Sequence, residues 1–190
     1  MTGIDKVKYT SAAAAITVDL VKGTATSREG KDAAKIGTDT LKGVENVIAG
    51  DYNDIVKGNK VANVLTGGLG SDDLYGGADK VKDVFVFKAI TESKVGTARD
   101  KVYNFIAKID KIDLSGIDAN TATAKTDDQA FLFSGTTAQA NSVWYKVTDA
   151  DGKTATKDIV VYADVDGNTT ADFEIGLIGV TSINATGFVL

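Results

Sequence analysis

Oxygen-bearing side chains recur at a fixed place in four consecutive blocks of the chain, which follow a nine-residue period. The blocks begin at Ala49, Gly58, Gly67 and Gly76. Their sixth positions, allowing for two extra residues in the last block, are Asp54, Asn63, Asp72 and Asp83. Carboxylate, amide and backbone carbonyl oxygens are the ligands of hard cations, so this spacing indicates calcium chemistry.

Each block has the composition of one turn followed by one short strand. The third block, GGLGSDDLY from Gly67, fits the template G-G-x-G-x-D-x-U-x, where U is apolar, at every fixed position, and the others fit in part. Glycine permits the positive φ values of a tight turn, and the x-U-x half alternates as a strand does. The apolar eighth positions are Val56, Leu65, Leu74 and Phe85.

Turns two blocks apart stack on the same side of a flattened coil, because successive strands lie on alternate sides. This stacking places Asp54 over Asp72 and Asn63 over Asp83, with calcium held between the turns. Without the ion the facing carboxylates and carbonyls would repel one another, so we expect folding to depend on calcium. The predicted calcium-site residues are Asp54, Asn63, Gly67, Gly68, Gly70, Asp72, Gly76 and Asp83.

A simpler interpretation is that these segments are the hairpin turns of an ordinary β protein. A single Gly- and Asp-rich hexapeptide would not separate the two interpretations. Four blocks in one register, each with an apolar residue at the same place, favour the β-roll.

Composition excludes several other kinds of function. The chain of 190 residues has no Cys and no His, which rules out an ordinary zinc site, a thiol nucleophile and a Ser-His-Asp triad. Paired carboxylates could serve a glycosidase, but Asp is so frequent in turns that chance adjacency explains them, and we expect no enzyme activity. A net charge of -5 and a pI near 4.8 argue against a nucleic-acid partner.

The sequence also lacks the common membrane and export signals. No run of 18 or more apolar residues could form a membrane-spanning helix. Residues 1–9 do not have the basic-then-apolar layout of a cleaved signal peptide. Export would therefore depend on information elsewhere in the chain.

Short strands throughout the chain indicate an all-β fold. We expect a short parallel β-roll stacked on an antiparallel, sandwich-like C-terminal part. The expected divisions are an N-terminal β segment at residues 1–48, the roll at 49–87 and a β-rich part at 88–190. Predicted strands of the last part lie at residues 130–133, 143–147, 159–163, 173–178 and 187–190.

These motifs resemble the RTX, or hemolysin-type, calcium-binding repeats of bacterial proteins, and in particular the serralysin C-terminal region. Residues 37–47 resemble the family segment GTDTLxGIEN, and residues 83–87 resemble its DxFVF strand. Residues 100–115 resemble DxIxDFxxGxDKIDLS, and residues 164–175 resemble DxDGDGxADFxI. Within the family pattern, Asn104 and Lys108 stand where Asp and Gly are usual, which weakens a calcium site in that segment.

The resemblance implies a function as well as a fold. It implies a module of a larger protein of a Gram-negative bacterium, secreted or at the cell surface, that binds calcium and folds outside the cell. It also implies a secretion signal near the C-terminus, which ends in the apolar residues 187–190, and hence the type I secretion apparatus as a partner.

Two residue groups leave an alternative open. The segment 164–168 mimics the start of an EF-hand loop, but strand-forming flanks and the lack of Glu at the twelfth position favour a hairpin turn. Trp144, Tyr145 and Tyr162 could stack on sugars, although such aromatic residues more often belong to a core. The alternative function is a calcium-dependent adhesive or carbohydrate-binding module of a surface or S-layer protein, with a polysaccharide or cell-surface partner.

Overall fold

The computed structural model of the protein describes residues 3–190 except residues 31, 122–128 and 154–155. Within these residues the regular structure consists of two β-sheets and two 3-10 helices, Gly96–Ala98 and Ala185–Gly187. The prediction of an all-β fold, with a parallel roll and an antiparallel part, is confirmed. The described part of the chain has no apolar helix of sufficient length to cross a bilayer.

The smaller sheet has six strands, and every neighbouring pair in it is parallel. Its spatial order is β1 (Lys6–Lys8), β5 (Asn46–Ile48), β7 (Val64–Thr66), β9 (Val84–Val86), β11 (Lys111–Asp113) and β16 (Phe188–Val189).

The larger sheet has ten strands and is mixed. Its spatial order is β12 (Leu132–Phe133), β13 (Ser142–Thr148), β14 (Asp158–Ala163), β15 (Phe173–Leu177), β10 (Asp100–Tyr103), β8 (Asp73–Tyr75), β6 (Ile55–Lys57), β2 (Ile16–Asp19), β3 (Thr24–Ser27) and β4 (Thr38–Thr40). From β5 to β11 consecutive strands alternate between the two sheets, which is the flattened coil that the repeat predicts.

The core of the roll is built from the middle residue of each short strand. These side chains point inward between the two sheets and are fully buried, and each one contributes roughly 1.5–3 kcal/mol by leaving water. They are Val18, Val47, Val56, Leu65, Leu74, Phe85, Val102 and Ile112.

Parallel pairing extends on both sides of residues 49–87. Before this segment β1 pairs with β5 and β2 with β6, and after it β10 pairs with β8 and β11 with β9. The physical reason is that Val102 and Ile112 continue the inward apolar row although the nine-residue spacing has ended. The division of the chain into three parts stays a prediction.

The C-terminal part joins the roll through its sheets. Strands β13, β14 and β15 are antiparallel, as expected, and β15 then pairs in parallel with β10. The expected antiparallel pairing does not extend to β12, which is parallel to β13, or to β16, which is parallel to β11. Strand β16 returns to the smaller sheet, where Phe188 is paired with Ile112.

Candidate calcium-binding site

Two stacks of turns flank the roll, one leading into each sheet. The first stack comprises residues 50–54, 67–72 and 92–100, which precede strands β6, β8 and β10 of the larger sheet. The second stack comprises residues 58–63, 76–83 and 104–110, which precede β7, β9 and β11 of the smaller sheet.

In the first stack the carboxylates form a ladder of hydrogen bonds to backbone amides. The Asp54 N–H donates to Oδ1 of Asp72 at 2.7 Å, and the Asp72 N–H donates to Oδ1 of Asp100 at 2.8 Å. At the lower end, the Ile16 N–H donates to Oδ1 of Asp54 at 2.8 Å. Asp54 therefore lies next to Asp72 as the spacing predicts, and Asp100 extends the ladder by a step that the repeat did not predict.

The second stack has a similar ladder in which the carboxylates are fully occupied. The Asn63 N–H donates to Oδ1 of Asp83, and the Asp83 N–H donates to Oδ1 of Asp110, both at 2.9 Å. Oδ2 of Asp83 accepts from the Gly77 N–H at 2.9 Å, and Oδ2 of Asp110 accepts from the Ile106 N–H at 2.7 Å. Backbone amides thus hold all four oxygens of these two acids.

Two carboxylate oxygens of the first stack have no donor. Oδ2 of Asp72 and Oδ2 of Asp100 are buried and accept no hydrogen bond, whereas Oδ2 of Asp54 accepts from the Gly50 N–H at 2.9 Å. The side chains of Asp72 and Asp100 are both 0% exposed. An unpaired charged oxygen in this environment is strongly unfavourable, so the stack needs a cation or a proton at this point.

Negative charge accumulates around these two oxygens. Burial, followed by the charges of Asp54, Asp73 and Glu92, raises the pKa of Asp72 to about 8. Burial and the adjacent Asp72 raise the pKa of Asp100 well above its ordinary value, and burial also raises that of Glu92. None of the ion pairs among the described residues involves Asp72, Asp100 or Glu92.

Backbone carbonyl oxygens reach the first stack because two residues of its middle turn are glycine. Gly68 and Gly70 have φ values of 98° and 136°, in the left-handed region. A methyl group at Gly68 would collide with the carbonyl oxygen of Gly50, and one at Gly70 would lie 2.5 Å from that of Tyr52. The carbonyls of the lower turn therefore lie directly against the upper turn, where they add oxygen ligands suited to calcium.

The first glycine of a block makes room for the acid of the same block. A methyl group at Gly67 would collide with the carboxylate of Asp72, and one at Gly76 would lie 2.8 Å from Oδ2 of Asp83. All eight residues predicted for the calcium site lie in the two stacks. Their role as ligands stays a prediction.

Comparison with known proteins agrees with this architecture. The family model described as Peptidase M10 serralysin C terminal matches residues 4–190. The chain belongs to this family. A curated relative, the serralysin of Proteus mirabilis, is 32% identical in an alignment 152 residues long, which covers 72% of this chain and 29% of that protein. The match is to the non-catalytic C-terminal part of the serralysin family, and the RTX-type resemblance is confirmed.

A solved structure shares the fold of this serralysin C-terminal domain. The AlgE6R2 subunit of the Azotobacter vinelandii mannuronan C5-epimerase matches with a TM-score of 0.53 at 18% identity. The match covers 99% of this chain and 92% of that chain, so the common fold includes both the roll and the C-terminal part.

Two acidic residues of the serralysin C-terminal domain were missed in the sequence. Asp100 is followed by Lys101 and Val102, which repeats the acid-x-apolar pattern of the blocks and could have identified it. Glu92 lies in the loop between β9 and β10 and has no repeat signal. Only the fold brings it near Asp72 and Asp100, where its charge contributes to both raised pKa values.

Two further acidic groups lie in the C-terminal part of the domain. In each group, one carboxylate oxygen from each of three residues lies within 4.8 Å of the other two. The groups are Asp149, Asp151 and Asp158, and Asp164, Asp166 and Asp172. The buried members already accept backbone donors: Asp158 from Ala150 and Gly179, and Asp164 from Gly167 and Thr169 among others. These bonds hold turns, in agreement with the hairpin interpretation of the segment 164–168.

The aromatic residues of β13 and β14 lie on both faces of the larger sheet. Trp144 is 3% exposed and stacks on Tyr162, with 5.6 Å between the ring centroids. Tyr145 faces the other side and stacks on Phe133 at 6.5 Å. Because Trp144 is buried, these three aromatic residues do not form an exposed platform for sugars.

Proposed function

We propose that this domain is a calcium-binding RTX module that folds on extracellular calcium. The observation that carries the proposal is the pair of buried, unpaired oxygens, Oδ2 of Asp72 and Oδ2 of Asp100. Burial and the neighbouring negative charges raise both pKa values, and a cation bound there would satisfy both oxygens and neutralise that charge. Calcium suits the surroundings because the available metal ligands are carboxylate and carbonyl oxygens, and the chain has neither His nor Cys.

The proposed ligands of the first stack are carboxylates and turn carbonyls from three successive turns. The carboxylates are those of Asp54, Asp72 and Asp100, the turn residues are Gly67, Gly68 and Gly70, and Glu92 adds negative charge nearby. A second ion would lie between the turns that contain Asn63, Gly76 and Asp83. We expect the first stack to bind more tightly, since it offers more negative charge.

Calcium would also decide where the domain folds. Extracellular modules of this kind bind calcium at roughly 10⁻⁴–10⁻³ M, a concentration found outside the cell but not in the cytosol. The carboxylates of the first stack would therefore keep the chain unfolded before export and close the roll after it. This behaviour suits a protein of a Gram-negative bacterium that is released from the cell or held at its surface.

Export itself would use the type I secretion apparatus, which would read a signal near the C-terminus of the unfolded chain. The apolar residues 187–190 would belong to this signal, and after folding they include β16, which pairs with β11. The matched region makes up 29% of the Proteus relative, so the activity of the whole protein would reside outside this non-catalytic module.

Far-UV circular dichroism during a calcium titration tests the proposal. We expect little β structure in excess chelator and a cooperative gain of it on adding calcium, with a midpoint at roughly 10⁻⁴–10⁻³ M. Magnesium at the same concentration is the control, because its smaller octahedral shell fits multi-carbonyl sites poorly. A β spectrum that is unchanged by excess chelator would overturn the proposal.

A second candidate function is adhesion to a polysaccharide or another cell-surface partner. The observation that favours it is a pair of tyrosines on the outer face of the larger sheet. The rings of Tyr75 and Tyr103 stack 4.3 Å apart, and the Lys57 amine lies 5.6 Å from the Tyr75 ring. Partly exposed aromatic faces beside hydrogen-bonding groups are suited to sugars.

Calorimetry with neutral and acidic polysaccharides in the presence of calcium tests this candidate. We expect binding that is lost in Tyr103→Ala and kept in Tyr52→Ala, since Tyr52 is an exposed tyrosine away from the stacked pair. If no polysaccharide binds the calcium-loaded domain, the candidate is removed.

A further inference from the structure

The fourth turn of the roll differs from the other three in having an acidic residue, Asp79, at the fourth position of its block. This turn spans residues 76–83, is two residues longer than the template, and has Asp79 where the template has its third glycine. Oδ1 of Asp79 accepts the Val81 N–H at 2.6 Å, which fixes the carboxylate in its own turn. Oδ2 of Asp79 is buried and accepts no hydrogen bond.

The unpaired oxygen of Asp79 lies beside an oxygen of the turn below. A methyl group at Gly77 would collide both with Oδ2 of Asp79 and with the carbonyl oxygen of Asn59. The two acceptors, from different turns, therefore lie against the same side of Gly77, each close to the position that a side chain of residue 77 would occupy. Two acceptors without a donor repel one another, and a cation is the group that joins them.

The first stack has the equivalent arrangement at the same position of the repeat. There the second glycine of the block, Gly68, faces the carbonyl oxygen of Gly50. Gly77 and Asn59 occupy these two positions in the second stack. The difference is that Asp79 brings an additional carboxylate oxygen to the second stack.

The sixth-position side chains of the second stack leave little negative charge for an ion. Asn63 is neutral, its Oδ1 accepts the Asn59 N–H at 2.8 Å, and its amide donates to the carbonyl oxygen of Glu45 at 2.8 Å. Both oxygens of Asp83 are held by backbone N–H groups. Among the acids of this stack, only Asp79 has an oxygen that is buried and without a donor.

We propose that Asp79 is a ligand of the calcium ion in the second stack, together with the carbonyl oxygen of Asn59, and supplies the charge that Asn63 lacks. The inference rests on the proposed calcium-binding function and extends it to a residue outside the nonapeptide template. The two extra residues of the fourth turn then have a function, because they allow the turn to fold back so that the Asp79 carboxylate reaches Gly77.

Isothermal titration of the full chain with calcium, comparing the wild type with Asp79→Asn, tests the inference. Asparagine keeps an oxygen for the Val81 N–H, so the turn survives while the free carboxylate oxygen is replaced. We expect one ion to bind at least about tenfold more weakly and the other to bind as in the wild type. The matched control is Asp5→Asn, which removes the same charge from an exposed residue outside the turns and should leave both ions unchanged.

The possible outcomes separate this inference from the proposed function. A wild type that binds no calcium contradicts both. If the wild type binds calcium and Asp79→Asn binds every ion with the same affinity, only the assignment of Asp79 is wrong. An equal loss in Asp5→Asn would attribute the effect to net charge and overturn the assignment. If Asp79→Asn fails to fold at saturating calcium, Asp79→Glu is measured as well, because it retains the carboxylate. Tighter calcium binding by Asp79→Glu than by Asp79→Asn supports the assignment of Asp79. An equal loss of calcium binding in both variants would overturn the assignment.

Discussion

At the scale of single residues, the two oxygens of each acid in the ladders have different environments. One oxygen accepts a backbone N–H from the neighbouring turn and holds the stack together. The second oxygen accepts an amide of its own turn in Asp54 and Asp83, and it is buried without a donor in Asp72 and Asp100. The ladder is thus a structural feature, the unpaired oxygens are the candidate ligands, and substitutions can separate the two.

The substitution Asp72→Asn separates them. In excess chelator we expect the variant to keep more β structure than the wild type, because a buried charge is removed while the acceptor for the Asp54 N–H remains. In saturating calcium we expect the stabilisation by the ion to be largely lost. Circular dichroism in chelator and thermal unfolding in calcium measure the two effects, and the control is the exposed Glu29→Gln. A variant that calcium stabilises as much as it stabilises the wild type would contradict this prediction.

The pH dependence of the stability of the calcium-free protein follows from Asp72. Burial is the main cause that raises the pKa of Asp72 from 3.8 to about 8. A carboxyl group with a raised pKa takes up a proton on folding between these two values, so the calcium-free fold loses stability as the pH rises from about 4 to about 8. Circular dichroism in chelator should therefore show more β structure at pH 5 than at pH 8.5. Asp72→Asn should flatten this profile, and a profile with the opposite slope would refute the argument.

At the scale of the elements, the strands of the repeat could be predicted and those outside it only in part. Each of the strands β6, β7, β8 and β9 is predicted by an Asp or Asn that is followed by one residue and then by a buried apolar residue. The hairpin of β3 and β4 has no such sequence pattern. The fully buried residue of β3 is the small Ala25, and the other residues of β3 are Thr or Ser. The pairing of β3 with β2 and of β4 with β3 gives these strands their structure.

The turns between the strands offer a second test, at Gly70. Its φ of 136° and the nearby carbonyl oxygen of Tyr52 both disfavour a side chain, so Gly70→Ala should lower the free energy of unfolding in saturating calcium and weaken calcium binding. Gly135→Ala is the matched control, since Gly135 has a φ of 73° but no atom near its side-chain position. It should cost only about 1–2 kcal/mol, the usual penalty for a left-handed residue, and leave calcium binding unchanged. Equal effects of the two substitutions on both quantities would show that close turn stacking is unimportant.

At the scale of the whole molecule, the roll and the C-terminal part share one hydrophobic core, which extends from Tyr9 to Phe188. Strand β15 continues the larger sheet from β10, and β16 completes the smaller sheet beside β11. Calcium bound at the turns of the roll would therefore stabilise the C-terminal part as well, because the two cannot unfold separately without exposing this core.

Substitutions in β16 test this continuity. Phe188 is 7% exposed, and its ring lies 5.4 Å from that of Phe133, so Phe188→Ala should lower the free energy of unfolding by about 3–5 kcal/mol. Val189→Ala, at a residue that is 40% exposed, is the control and should have a small effect. Denaturant unfolding in saturating calcium should remain a single transition for both variants. A separate early transition in Phe188→Ala would mean that the C-terminal part unfolds independently of the roll.

The sequence by itself determined the all-β class, the nine-residue register and the stacking of Asp54 next to Asp72, because a strict local period leaves the chain one way to bury its apolar residues. The tertiary structure decided which residues complete each ladder, since Asp100 and Asp110 follow insertions that break the period and are aligned only by strand pairing. It also decided which oxygens remain unpaired, at Asp72, Asp79 and Asp100, because a hydrogen-bond partner depends on the neighbouring turn in space. The spacing of the acids is local information, and the environment of each oxygen is not.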